Sequence, residues 1–425
     1  MGADFFAENS SLARDAADPS RRADFRIPPR AAADGGEWAY FAGNSLGLQP
    51  RGAAEAVGEE LETWATLGVE AWFEGAEPWL TSADGLRGSL ASLVGAGVGE
   101  VVAMNTLTVN LHLLMATFYR PSPERFRIVI EDAAFPSDSH AVASQASHHG
   151  YDPDTAVVRL RPRAGEAALR SEDIAGELER LRGSVALVLL GGISYLTGAL
   201  VDIPAVTAAG HDIGAVVGWD LAHAAGNVPL DLHGWDVDWA AWCHYKYVNA
   251  GPGGPAGAFV HERHGSDASL PRLAGWWGND PATRFRMEPG FVPRAGAVGW
   301  QVSTPPVIAF APLRASLALF DAVGMPALRE RSLRLTGYLE SLLDVIVAER
   351  RVEILTPRDP ALRGCQLSLA VSDARTLAGR LRAEHGVICD VREPDVIRLA
   401  PVPLYSSYHD CWRAATALRE HLPER

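Results

Sequence analysis

The chain has 425 residues, 48% of them hydrophobic and 21% charged, with a formal net charge of −14. The length exceeds what a single core usually serves, about 250–300 residues, so two domains are expected, and the composition is globular rather than disordered. The acidic balance argues against nucleic acid or an anionic membrane as partner, because both require a positive face.

The N-terminal stretch MGADFFAENSS has neither the basic nor the apolar region of a signal peptide, and apolar runs such as Val185–Leu190 are too short to span a bilayer. Cys243, Cys365, Cys389 and Cys411 make no CxxC or zinc-like spacing, which predicts reduced thiols and a cytoplasmic protein.

From about residue 100 to 260, short apolar runs alternate with helical patterns. The runs Glu100–Met104, Arg127–Glu131, Thr155–Leu160, Val185–Leu190, Ala215–Asp220, Asp238–Cys243 and Ala256–His261 are too hydrophobic to keep one wet face, as expected of buried parallel strands. Ile174, Leu178 and Leu181 mark one helical face between them. The alternation predicts right-handed βαβ crossovers and an α/β fold: a mostly parallel sheet flanked by helices. After Thr304-Pro305-Pro306, helices are expected over Val307–Val323 and Pro326–Arg350, then a strand near Gln366–Val371. A helix over Ala374–His385, strands around Val387–Val391 and Val396–Ala400 and a final helix complete a smaller α+β domain. The expected division is an N-terminal segment 1–60, a large domain 61–303 and a C-terminal domain 304–425.

Chemistry concentrates at the carboxyl ends of the strands, where open α/β sheets bind ligands. Asp220 ends one strand and is followed by His223; an isolated Asp there can equally cap the next helix. Cys243-His244-Tyr245-Lys246-Tyr247 ends the next, with Asn249-Ala250-Gly251-Pro252-Gly253-Gly254 behind it. An ammonium among apolar and aromatic residues is unfavourable unless paired or functional, although a lysine at a strand end can also snorkel to the surface. A carbonyl-bearing cofactor accounts for Lys246 and Asp220 together: pyridoxal phosphate needs a Schiff-base lysine, an acid at its ring nitrogen, a flat group on its ring and donors at its phosphate. Phe135-Pro136-Ser137-Asp138 can supply the stacking ring, and Leu107-Thr108 open a helix whose free N–H groups can hold phosphate. His223 and Tyr245 can add hydrogen bonds, while Thr108 could be only an N-cap and Phe135 only core.

Over nearly its whole length the chain resembles the kynureninase family, pyridoxal-phosphate enzymes similar in fold to aspartate aminotransferase (fold type I). The resemblance lies in Phe41-Ala42-Gly43-Asn44-Ser45-Leu46-Gly47-Leu48-Gln49-Pro50, Leu107-Thr108-Val109-Asn110-Leu111-His112, Asp220-Leu221-Ala222-His223-Ala224, Tyr245-Lys246-Tyr247 and Ala400-Pro401-Val402-Pro403-Leu404-Tyr405. It implies a homodimer that hydrolyses L-kynurenine to anthranilate and L-alanine. It further implies Lys246 as the Schiff-base lysine and Asp220 as the ring-nitrogen partner. Phe135 is the implied stacking ring, and Leu107, Thr108, Pro136, Ser137, Asp138, His223 and Tyr245 are implied as further cofactor contacts. Trp276 and Thr304 match positions that reach the cofactor phosphate from the neighbouring subunit. Arg398 matches the residue that binds the substrate carboxylate, with Asn44, Ser45 and Trp72 at the substrate. Trp72 and Thr304 stand where animal members carry His and Asn, a pair that implies preference for kynurenine over its 3-hydroxy derivative. Gly191-Gly192 stands where relatives often carry a hydroxyl.

The implied chemistry has Lys246 removing the α-proton, water adding to the γ-carbonyl and Tyr245 returning a proton to the alanine fragment. The nearest rivals share the fold: a cysteine desulfurase or a class V aminotransferase. Against a desulfurase, Cys365 and Cys389 lie in strand-like contexts. A non-catalytic regulator would need a basic DNA-binding arm, and a nicotinamide dehydrogenase a GxGxxG after the first strand; neither is present.

Overall fold

The computed structural model describes residues 6–30 and 36–425. The signal-peptide reading falls partly on residues 1–5, and the segment 1–60 includes residues 31–35; both stretches lie outside the described residues. Seven strands form the large sheet: β1 (Val101–Met104), β2 (Arg127–Glu131), β3 (Val157–Leu160), β4 (Val185–Gly191), β5 (Val216–Asp220), β6 (Trp239–Cys243) and β7 (Ala256–Val260), in spatial order β1-β7-β6-β5-β4-β2-β3. Pairings from β6 through β3 are parallel. Only β7 runs backwards, antiparallel to both β6 and β1. Apolar runs report burial, not direction, so its sense was not readable from its residues. The expected strand at Thr155–Leu160 begins later, because Pro153–Ala156 forms a helical turn capped by Asp152.

Alternate residues of each strand enter different cores, as the two-residue period of a strand requires. Val101, Ala103, Val217, Trp219, Ala240 and Trp242 join one core, and Val102, Met104, Ile128, Ile130, Trp239 and Ala241 the other. The helix Leu107–Phe118 covers the second face through Leu111, Leu114 and Met115. Helices Ser171–Arg180 and Val307–Val323 cover the first. Among the described residues no single helix is long and apolar enough to cross a membrane.

The helix Met325–Glu349 runs from the first core, through Leu328, into a third built around the C-terminal sheet. That sheet comprises β8 (Glu353–Ile354), β9 (Leu367–Ala370), β10 (Asp390–Arg392) and β11 (Val396–Leu399), ordered β8-β9-β11-β10. The run expected as one strand at Val387–Val391 is divided. Val387–Ile388 pairs in parallel with Ala39–Tyr40, while β10 pairs antiparallel with β11. A parallel bridge from Ala42 to Ala400 continues the first contact. The N-terminal segment is thereby drawn along the C-terminal layer, which sets Asn44 and Ser45 beside β11.

Candidate active site

The carboxyl ends of β1, β2, β4, β5 and β6 open onto one cavity of about 150 Å³. Thr106, Leu107, Thr108, Glu131, Phe135, Ser137, Asp138, Gly191, Ile193, Tyr195, Asp220, Ala222, His223, Tyr245 and Lys246 line it. At its centre the Lys246 Nζ lies 3.1 Å from His223 Nε2. The amine is turned inward rather than to the surface, 5.8 Å from the Phe135 ring centroid and 5.9 Å from that of Tyr245. Burial first, then the positive charges of Lys246, Arg398 and Arg392, hold His223 well below the ordinary imidazole range. Neutral at physiological pH, it accepts from the lysine, and its buried Nδ1 has no partner among the described residues.

Lys246 is fixed through its backbone as well as its side chain. The Gly47 N–H donates to the Tyr245 carbonyl at 2.8 Å, and a Cβ on Gly47 would lie 2.3 Å from the Lys246 carbonyl oxygen. No other residue permits that approach, which accounts physically for the glycine after Asn44-Ser45-Leu46.

Two helix N-termini converge on one wall. Leu107–Phe118 starts after Thr106, so Thr108 lies within the first turn and is not the N-cap. Pro136–His148 starts after Phe135, with Pro136 in the first turn where its missing N–H is harmless. The Thr108 and Ser137 hydroxyls meet at 2.6 Å. Unpaired N–H groups and the aligned peptide dipoles make such a wall attractive to an anion. Phe135 is 43% exposed, so it is a cavity wall and not core.

The cavity is also lined by acids, Asp138 among them from the first turn of Pro136–His148 itself. Asp220 ends β5 and accepts the Ala222 N–H at 2.7 Å; a turn and not a helix follows it, so it caps no helix. Burial raises its carboxyl, against the lowering effect of Lys246. Asp138 is raised well above the usual range by burial and by the neighbouring Asp220 charge. Glu131, which the sequence reading passed over, is pushed up to about 7 by burial and by Asp220. Both its oxygens accept from the Gly191 N–H, at 3.2 and 3.3 Å, and a Cβ on Gly191 would come within 2.9 Å of Oε1. The glycine at that strand end makes room for the carboxylate. Glu131 could have been found as the last residue of its strand, four before Phe135.

Beyond Tyr195, whose ring meets Phe135 edge-on at 5.3 Å, lies a basic region. Arg398 is fully buried on β11, not at the surface. Its Nη1 donates to the Tyr195 carbonyl at 2.6 Å and its Nη2 to Ser45 Oγ at 3.2 Å. Asp390, directly opposite on β10, pairs with Arg398 at 2.8 Å, with Arg392 at 2.9 Å and with the Ser45 hydroxyl. Asp390 and Arg392 were also missed; their signal is the alternation that puts both on one strand face. Asn44 is buried, donating to Gln366 at 2.8 Å, with its Oδ1 unpartnered among the described residues.

Trp72, Trp276 and Thr304 do not line this cavity in their own chain. Trp72 packs against Trp79 and Trp277, with ring centroids 5.6 and 5.8 Å away, and Trp276 continues the group at 5.8 Å from Trp277. Trp276 and Thr304 are exposed.

Comparison with known proteins gives this geometry a family. Residues 40–365 match the aminotransferase class-V model and residues 328–418 the kynureninase C-terminal domain. A kynureninase of Salinispora tropica is 59% identical over 97% of this chain and 96% of its own length. The chain belongs to the kynureninase family. A kynureninase of Myxococcus xanthus is 53% identical over 99% of both chains. The kynureninase fold is also that of more distant solved structures. A cysteine desulfurase from Thermococcus onnurineus superposes with a TM-score of 0.74 at 17% identity, covering 91% of this chain and 94% of its own. The cystine C-S lyase C-DES gives 0.76 at 20% identity, covering 91% and 98%. At those identities the likeness concerns the fold alone.

Proposed function

We propose that this chain hydrolyses L-kynurenine to anthranilate and L-alanine with pyridoxal 5'-phosphate, using the cavity around Lys246. Near-complete coverage by kynureninases at 53–59% identity carries the reading, and the cavity supplies what the reaction needs. The residues fit the cofactor. An inward-facing amine meets a buried imidazole whose Nδ1 lacks a partner among the described residues, two helix N-termini converge on the cavity and Asp220 lines it. In this reading Lys246 holds the cofactor, Asp220 faces its ring nitrogen and Phe135 its ring. The helix starts at Leu107-Thr108 and Pro136-Ser137 take the phosphate, and Asp138, His223 and Tyr245 complete the contacts. Pyridoxal phosphate supplies an electron sink conjugated to the substrate amine.

The chain's own residues do the rest. Arg398 binds the substrate carboxylate with its planar fork, held in place by Asp390, the Tyr195 carbonyl and Ser45. The Lys246 amine moves the α-proton. Burial raises the Tyr245 phenol, so it stays protonated and can donate to the alanine fragment after water has added at the γ-carbonyl. Residues 61–303 form the cofactor-binding unit and 304–425 the unit bearing Arg398, with 1–60 packed beside them. The chain works as a homodimer in the cytoplasm. The aromatic group of Trp72 and Trp276, together with Thr304, serves the neighbouring subunit's cavity, where indole favours kynurenine over the 3-hydroxy derivative.

A desulfurase needs a reactive thiolate. Burial pushes Cys365 and Cys389 up to about 12 and raises Cys243 and Cys411 as well. The deciding experiment mixes purified protein with L-kynurenine and follows anthranilate fluorescence with and without added pyridoxal phosphate. Cofactor-dependent anthranilate supports the assignment; none in either case overturns it.

A further inference from the structure

Two clusters outside the active site bring histidines and carboxylates within metal-ligating distance: Glu100 with His233 and His261, and Glu384 with His385 and His421. In the first, the lone pairs are occupied. Glu100 accepts the Gly97 and Glu262 N–H groups at 2.7 and 2.8 Å, and His261 Nδ1 accepts from the Arg263 N–H at 3.2 Å. Those contacts are ordinary helix capping, and the cluster needs no ion.

The second differs. His385 closes the helix Ala374–His385 and His421 closes the C-terminal helix Tyr408–His421; these helices pack through Leu377, Leu381, Ala414 and Leu418. Their ends set His385 Nε2 and His421 Nε2 2.8 Å apart. The Glu384 Oε2 lies 3.4 Å from His421 Nε2, and the Glu420 Oε2 lies 3.6 Å from His385 Nε2. Around a tetrahedral zinc with bonds of about 2.0–2.1 Å, neighbouring donor atoms are roughly 3.3 Å apart, and the observed separations straddle that value. The other Glu384 oxygen, Oε1, accepts from Arg380 Nε at 3.1 Å, the outer-sphere bond that orients a ligating carboxylate. His421 is anchored too, its side chain only 3% exposed.

We propose that His385, His421 and Glu384 form a divalent transition-metal site of the zinc class, with solvent as fourth donor. Without metal, one proton bridges the facing nitrogens. With metal, the donor ring carries its proton on Nδ1 instead, both Nε2 lone pairs point at the ion and no proton is lost. The site clips the C-terminal helix to the segment that leads through Gly386 into Val387–Ile388 and β10, which carries Asp390. Metal binding then stabilises the layer that holds Arg398, because a ligand selective for the folded state shifts unfolding by mass action.

The test uses the full chain, treated with chelator and dialysed, with zinc chloride and cobalt chloride as probes. Titration calorimetry should give one zinc per chain, the cobalt form should show tetrahedral visible absorption, and zinc should raise the melting temperature. His421→Ala and His385→Ala should abolish the cobalt spectrum. Glu384→Gln, at an exposed position that leaves the fold alone, should weaken zinc binding at least about tenfold, and His233→Ala should not change it. Absence of zinc binding in the wild-type chain, or equal binding by Glu384→Gln and the two histidine variants, overturns the site in favour of a simple N–H···N hydrogen bond.

Discussion

The Lys246 cavity and the arginine cluster beyond Tyr195 handle buried charge in opposite ways. At the β2–β5 end, Glu131, Asp138 and Asp220 crowd around one amine, and burial raises all three carboxyls. At the β10–β11 end, Arg392 and Arg398 share the single carboxylate of Asp390. The first end has acids in excess and suits a group that carries a proton or positive charge. The second has one guanidinium charge uncompensated and suits a carboxylate. An amino-acid substrate linked to a pyridine-type cofactor presents those two demands, so the division of charge sets the direction in which it lies.

The sharpest way to break this comparison is at the amine. Lys246→Ala should lower anthranilate production by about 10³-fold or more and remove the visible absorption of bound cofactor; retention of full turnover would refute the acid end as the reactive one. At the basic end, Arg398→Ala should cost about 2–5 kcal/mol in kcat/KM, mostly through KM, because it removes a buried charged partner; steady-state kinetics with L-kynurenine measure it, and an unchanged KM would remove Arg398 from substrate binding.

The acid end also makes a pH prediction. Glu131 is raised in the folded protein to about 7, so the folded state favours its neutral form. Its contribution to stability is therefore complete below the unfolded carboxyl range and is lost as pH rises through about 7. In cofactor-free protein the unfolding free energy of Glu131→Gln should gain on that of wild type between pH 5 and 8, by roughly 3 kcal/mol at most, as followed by denaturant melts; parallel pH profiles would contradict the shift. The smallest effect is expected for Ser45→Ala, which deletes one hydroxyl from the arginine network. It should cost about 0.5–1.5 kcal/mol, seen as a several-fold rise in KM at nearly constant kcat.

Much of this was legible in the residues. Strands buried on both faces must be apolar throughout, so the central runs of the large sheet stood out, and strand carboxyl ends located Lys246 and Asp220. The helix Val307–Val323 was legible from its proline start, and Ala374–His385 forms where a helix was expected. Glu131, Asp390 and Arg392 were not, because an acid at a strand end or a D-x-R run means nothing until its partner is known. The same limit applied to β7, whose apolar run looks alike in either direction, and to Val387–Arg392, where one extended stretch divides between two partners.

By itself, then, the sequence determined which segments are buried, where the reactive ends of the sheet lie and, through its motifs, the family. Only the tertiary structure decided which charges face one another. It set Asp390 against Arg398 across a strand pair and Ser45 against both, from 345 and 353 residues away. It also made Gly191 the space into which Glu131 fits. Burial is written into composition residue by residue, whereas pairing depends on register and chain path, which no local pattern specifies.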